Sequence, residues 1–293
     1  MKRTLQSGWM QQVVFLGPAI TAFSLIILIP FFMSIYYSMV QWDGVSSRIE
    51  WVGFDNFRAI FANDRDFANS FLFTLKITVA IVALTNLLGF SLAFILTQGL
   101  KLRNAMRTVF FIPNVLGGLL LGFIWQFIFV NSFETIGKAT NIGFFALSWL
   151  GTEATAFWGI VIVSVWQLSG YVMIIYIAGL INVPNDLKEA ARIDGAKSWQ
   201  LLRHVTLPLV MPAITVCLFW STSWAFKIFD VNFSLTAGGP FKSTESVAMN
   251  IYFEAFEYNR FGLGTAKALI FFVVVALITS LQVYLTKRRE VEM

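Results

Sequence analysis

The sequence predicts an all-α membrane protein of six transmembrane helices, and three observations carry that reading. Of 293 residues, 57% are hydrophobic and 13% are charged, with a mean hydropathy of +0.73; a soluble domain carries roughly 25% charged residues. Six apolar stretches are each long enough to cross about 30 Å of hydrocarbon, which takes about 20 helical residues. Lys and Arg gather on alternate connections between those stretches, the asymmetry that orients membrane helices.

In chain order the spans are about 13–38, 70–97, 108–131, 156–181, 205–229 and 265–286. The first contains Gly17, Pro18 and Pro30, tolerable where neighbouring helices satisfy the freed carbonyls. Its length and the lack of a small-residue cleavage pattern predict a retained span, not a signal peptide. Beyond it, Trp51, Phe54, Phe57 and Phe61 recur at helical spacing and predict a short helix at the membrane interface. The second span holds Asn86 and Gly89, of which Asn86, if buried, needs partners across the bundle. Gly118 and Gly122 in the third form a GxxxG pair that permits close helix crossing. Segment 132–155 reads as a loop of mixed character. Leu235-Thr236-Ala237-Gly238-Gly239-Pro240 is a turn signal that ends the fifth span and reverses the chain. No gap between spans reaches the roughly 50 residues of a small domain, so 1–293 reads as a single transmembrane domain.

The charges set the expected sidedness. Lys2, Arg3, Lys101, Arg103, Arg107, Lys188, Arg192, Lys197, Arg203, Lys287, Arg288 and Arg289 lie on one set of connections; Arg48, Arg58, Arg65, Lys138, Lys242 and Arg260 lie on the other. The positive-inside rule then places both termini and the 182–204 connection in the cytoplasm. Bases placed at span ends, not on one face or tail, also speak against nucleic acid despite a net charge of +5. Lys76, Lys227, Asp230 and Lys267 lie in or near spans, where long side chains reach toward the interface. Lys227 and Asp230, three residues apart, are spaced to pair.

Several chemistries are excluded. No G-x-x-x-x-G-K-[ST] occurs; the nearest imitation, Gly137-Lys138-Ala139-Thr140, lacks the earlier glycine and the hydroxyl directly after lysine. His204 is the sole histidine and Cys217 the sole cysteine, which rules out a multi-histidine metal site, a CxxC pair and an intrachain disulfide. His204, beside Arg203, reads as an interface residue and Cys217 as a small buried hydrophobe. What remains is a pore or carrier without a bound cofactor, not an enzyme.

Its most distinctive stretch is Glu189-Ala190-Ala191-Arg192-Ile193-Asp194-Gly195-Ala196. Pro184 is allowed in a first helical turn, and Asp186 and Glu189 sit near the positive end of the helix dipole. Leu187, Ala190, Ala191 and Asp194 recur every three or four residues, so one side carries little bulk and another surface can come close. Gly195 ends the piece, and Trp199, Leu201 and Leu202 begin a second one leading to Leu207-Pro208. The residues alone allow a lever between the membrane and a cytoplasmic partner, or a solvated hairpin that only links spans.

Glu189-Ala190-Ala191, Gly195 and Val205-Thr206-Leu207-Pro208 resemble the EAA signature of binding-protein-dependent ABC transporter permeases, with Val205 where isoleucine is usual. Leu235-Thr236-x-Gly238-Gly239-Pro240 with Tyr252 and Phe256, and Trp51-Val52-Gly53-Phe54-x-Asn56-Phe57, look like the carbohydrate-uptake branch, of the maltose and glycerol-3-phosphate type. The likeness covers nearly the whole chain. It implies the six-helix importer permease fold, with Glu189, Ala190, Ala191, Asp194 and Gly195 docking into a cytoplasmic ATPase. It further implies a second, homologous permease, two copies of the ATPase, an extracytoplasmic solute-binding protein, and a bacterial or archaeal inner membrane. ATP and Mg²⁺ belong to the ATPase subunits.

A sugar presents hydroxyls at its edge and C–H groups on its face, so its passage calls for polar groups beside flat apolar surface. Trp166, Ser169, Gly170 and Met173 share one face of the fourth span, with Gln167 beside them; Ser221, Trp224, Ala225 and Ile228 share one face of the fifth. The resemblance implies that these faces line the transport path. On the residues alone, helix packing serves equally, with each serine bonded to its own backbone. Two other classes stay open: an ion-coupled carrier using Lys227, Asp230 or Lys76, and a membrane scaffold that transports nothing. Disaccharides, oligosaccharides, polyols and glycerol phosphates suit such walls alike.

Overall fold

A computed structural model describes residues 8–98 and 101–290; Lys2 and Arg3, part of the expected charge asymmetry, lie outside the described residues. Helix α1 (Gly8–Phe23) passes through a π-turn at Ser24–Leu28 into α2 (Ile29–Tyr37). Two-residue strands β1 (Val40–Gln41) and β2 (Glu50–Trp51) pair antiparallel, Val40 opposite Trp51, and lead to α3 (Asp55–Asn63). Next come α4 (Arg65–Leu96), α5 (Arg103–Val115), α6 (Gly118–Phe127), α7 (Phe133–Thr140), α8 (Gly143–Ala146) and α9 (Glu153–Ile181). The chain continues with α10 (Asn185–Ile193), α11 (Ser198–Leu201), α12 (Leu207–Leu209) and α13 (Met211–Phe226). It ends with α14 (Asp230–Thr236), α15 (Val247–Tyr252) and α16 (Phe261–Lys287).

The fold is an all-α multi-span membrane fold. Gln12–Tyr37, Arg65–Leu96, Gly118–Thr140, Glu153–Ile181 and Phe261–Lys287 are each apolar and long enough to cross a bilayer. One further apolar pair, Ser198–Leu209 and Met211–Phe226, is long enough only when taken together and is bent by 69° between its halves. The stretch expected as a span over 205–229 is thus bent near Val210. Pro208 and Pro212, one turn apart on either side of Val210, each lack a helical N–H. The span expected over 108–131 is likewise broken, at Leu116 and Gly117, whose ψ values of 135° and 139° are extended. Pro113 lies one turn before. The apolar helix instead runs from Gly118 to Thr140, so much of the expected 132–155 loop is helical; Glu134 and Lys138 pair across one turn at 2.6 Å. The interface helix expected from Trp51 begins at Asp55, because Glu50 and Trp51 are taken by β2.

The chain packs as two compact units. The first comprises Met1–Asp64 with Ile251–Phe272. None of the most apolar window of Gln12–Tyr37 is buried, which leaves that helix as a surface for lipid or another subunit. After α2, Asn56 Nδ2 donates to the carbonyls of Ser38 (2.9 Å) and Val40 (3.0 Å) and ties α3 to the turn. Asp43 Oδ1 accepts from the N–H groups of Val45 (3.0 Å) and Ser46 (2.8 Å), which hold its carboxyl below the usual carboxylate range. Lys267 does not reach to an interface as expected. It is 1% exposed and pairs with Asp64 at 2.7 Å and with Glu254, which also meets Arg260. Two acidic partners close by remove the reason for the ammonium to reach water.

The second unit comprises Arg65–Asn250 with Val273–Met293. Helix α9 is its axis, with 72% of its most apolar window buried under α4, α5 and α13. Thr152 and Thr155 start α9 with reciprocal bonds between each N–H and the other's hydroxyl, both 3.2 Å. The GxxxG pair packs on α14: a Cβ at Gly118 would lie 2.7 Å from Asp230 Cβ, and one at Gly122 1.9 Å from Ser234 Oγ. Lys227 and Asp230 are exposed and do not pair.

Candidate functional site

The 182–204 connection folds as the sequence predicts locally. Helix α10 ends where Asp194 N donates to Ala190 O, Gly195 N to Arg192 O and Ala196 N to Ala191 O, with Gly195 at φ +82°. That is the glycine-terminated helix end in which a left-handed residue satisfies the last carbonyls. No heavy atom would lie within 4 Å of a Cβ on Gly195, so backbone conformation, not space, calls for glycine. Glu189, Ala190 and Asp194 are exposed and Ala191 half-buried. Beside them Leu187, Ile193 and Trp199 are 46%, 86% and 65% exposed. Two adjacent alanines thus lie beside large apolar side chains that nothing in this chain covers. On the other side of α10 a recess of about 610 Å³ opens toward the ends of α4 and α9, and Glu189, Lys188 and Arg192 reach its lining.

The two expected pathway faces lie mostly in the interior of the second unit. Met173, Ser221 and Ala225 are fully buried, and Ile228, Ser169 and Gln167 nearly so. Gly170 sits against α5, where a Cβ would come within 2.0 Å of the Phe110 carbonyl oxygen. Ser169 Oγ donates to Trp166 O at 3.3 Å and Ser221 Oγ to Cys217 O at 2.7 Å, the backbone-directed use open to a serine in a helix. Gln167 Nε2 donates at 3.1 Å to the carbonyl of Leu116, a group exposed by the break between α5 and α6. Trp166, at 41% exposure, and the half-buried Trp224 are the members with surface to offer. Trp166 is braced edge-on by Trp125 at 5.5 Å between ring centres.

One polar constellation joins three spans. Asn86 on α4 accepts from the Tyr176 hydroxyl on α9 (2.8 Å) and donates to Ser221 Oγ on α13 (2.9 Å) and to Val82 O (2.8 Å). The partners expected for Asn86 are thus in place. Tyr176 is the member the sequence did not single out, although its position three residues after Met173 continues the same helical face. Among the described residues no group of three or more His, Cys, Asp or Glu side chains could hold a metal ion.

A bundle whose buried polar groups join its helices, with a small exposed helix on one connection, has the build of a multi-pass transport subunit. The comparisons with known proteins agree: the pattern described as "Binding-protein-dependent transport system inner membrane component" matches residues 85–291, and the chain belongs to that family. It is 48% identical over 280 residues to a probable starch degradation products transport system permease protein of Thermoanaerobacterium thermosulfurigenes, covering 96% of this chain and 95% of that one. It is 34% identical to a multiple sugar-binding transport system permease protein of Streptococcus mutans, covering 89% and 90%. Among solved structures, a bacterial ABC transporter involved in the import of the acidic polysaccharide alginate superposes with a TM-score of 0.82 over 97% of each chain, at 20% identity; that likeness shows the fold. The protein is therefore a membrane permease subunit of the binding-protein-dependent ABC type.

Proposed function

We propose that this chain forms one half of the membrane pathway of an ATP-driven importer of a sugar or sugar-like solute. A second, homologous permease completes the pathway, two copies of a cytoplasmic ATPase bind α10 and its counterpart, and an extracytoplasmic solute-binding protein delivers the solute. ATP and Mg²⁺ act in the ATPases. In this reading both termini and α10 face the cytoplasm. ATPase closure on nucleotide pushes α10, the bent α12–α13 entry carries the push into the bundle, and the pathway opens outward; hydrolysis resets it.

The observation that carries this reading is the exposed face of α10. Covering a side chain such as Leu187 or Ile193 contributes about 1.5–3 kcal/mol, enough for a few contacts to hold the helix in a cleft while it moves. Asp194 supplies a polar anchor at its rim, and the exposed Glu189, at the edge of the recess, a second one. Trp166 and Trp224 offer the solute a flat apolar wall, and the buried members of their two faces hold that wall in position. The printed names of the similar permeases, one for starch degradation products and one for multiple sugars, support a carbohydrate.

Gly195→Val tests the coupling role. The left-handed backbone costs an L-residue about 1–2 kcal/mol, so the end of α10 is expected to rearrange while the spans stay inserted. Uptake and solute-stimulated ATP hydrolysis by the reconstituted complex should separate from each other. Full uptake with normal stimulation would sink the assignment.

A further inference from the structure

At the other end of α9 from α10, a cavity of about 680 Å³ lies between the start of α4, the start of α9 and the 241–245 loop. Its volume falls within the roughly 300–1,000 Å³ of small-molecule sites. It shares no residue with the coupling segment or with the two expected pathway faces.

Three carboxylates, of Asp66, Glu153 and Glu245, and two ammonium groups, of Lys76 and Lys242, line it. Lys242 Nζ and Asp66 Oδ2 are 2.7 Å apart. Glu245 is 3% exposed, and its Oε1 accepts from Asn250 Nδ2 at 2.7 Å and from Ser70 Oγ at 3.3 Å. Its carboxylate is therefore held in one orientation. Ser243, also on the lining, has a buried Oγ without a hydrogen-bond partner, an arrangement folded proteins seldom leave unmet. Phe241, 95% exposed, is also on the lining, and Phe73 and Phe157 meet edge to face at 6.2 Å in the wall.

Both signs of charge at close range disfavour an ionic ligand, since an anion meets the carboxylates and a cation the ammonium groups. A neutral polyhydroxyl molecule meets no such conflict: its hydroxyls donate to carboxylates, accept from ammonium groups, and leave a C–H face for an aromatic ring. We propose that this cavity binds a neutral oligosaccharide, with hydroxyls toward Asp66 and Asn69 and one sugar face on Phe241. It serves as a landing place for the solute before the membrane pathway. The inference rests on the sugar-import reading and adds to it a site and a preference for uncharged sugars.

The test uses the full chain assembled with its partner subunits in lipid nanodiscs, without solute-binding protein, titrated with maltotriose and followed by saturation-transfer NMR. Phe241 and Asn69 are exposed, so Phe241→Ala and Asn69→Ala should keep the thermal midpoint of the assembly. Each should weaken maltotriose binding about tenfold, the equivalent of about 1.4 kcal/mol. No binding by the parent assembly, or equal binding by both variants, overturns the site. Equal affinity for a trimer of galacturonic acid overturns its preference for neutral sugars. Uptake with the solute-binding protein restored separates the two readings: maltotriose uptake without binding at the cavity overturns the site alone, whereas absence of any sugar uptake overturns the import reading beneath it.

Discussion

Asn86 illustrates how a single amide organises this bundle. In hydrocarbon its polar atoms have no water to turn to, and Tyr176 and Ser221 answer from two other spans. Hydrogen bonds between membrane helices contribute about 0.6 to about 2 kcal/mol, so Asn86→Leu should lower stability by about 1–2 kcal/mol, measured by thermal unfolding in detergent. Adding Tyr176→Phe should cost less than the sum of the single changes, because the two side chains share one bond. The need for partners was legible in the sequence, where an Asn stands inside an apolar run. Their identity was not, since residues 86, 176 and 221 are brought together only by packing. Lys267 teaches the same: its charge was visible, but Asp64 and Glu254, which let it stay buried, lie far off in the chain or around a turn.

At the scale of elements, proline explains most departures from the expected spans. Hydropathy follows apolar runs and passes over Pro113, Pro208 and Pro212, although each removes an N–H donor. The bond from Gln167 to Leu116 O pairs one carbonyl that the break between α5 and α6 takes out of the helix. Gln167→Leu should therefore remove the donor to that half-buried carbonyl and destabilise the protein by about 1 kcal/mol, with the thermal midpoint as readout; an unchanged midpoint would show that the carbonyl finds another donor. The local shape of 185–196 was readable because its signals are local: proline before the first turn, glycine at the end, alanines between. The interior position of the 166–173 and 221–228 faces was not, because helical spacing groups residues on a face without saying which way that face turns.

For the molecule as a whole, the proposed orientation has a direct check. Cys217 is fully buried, so in a background of this kind a new cysteine on an exposed residue dominates labelling. Ala190→Cys should react with a membrane-impermeant maleimide only in inside-out vesicles, and Phe241→Cys only in right-side-out ones; the reverse pattern would overturn the sidedness. The sequence by itself determined the all-α multi-span membrane class, the helix-and-glycine form of the 185–196 segment and the family, because hydrophobic length, dipole-end charges and turn residues act over a few neighbours. Tertiary structure alone decided that α9 is the buried axis, that Ser169 and Ser221 bond to backbone, and that a cavity lined by charges of both signs stands at the far end of α9. Those outcomes depend on which distant side chains meet, and no short-range rule of spacing contains that information.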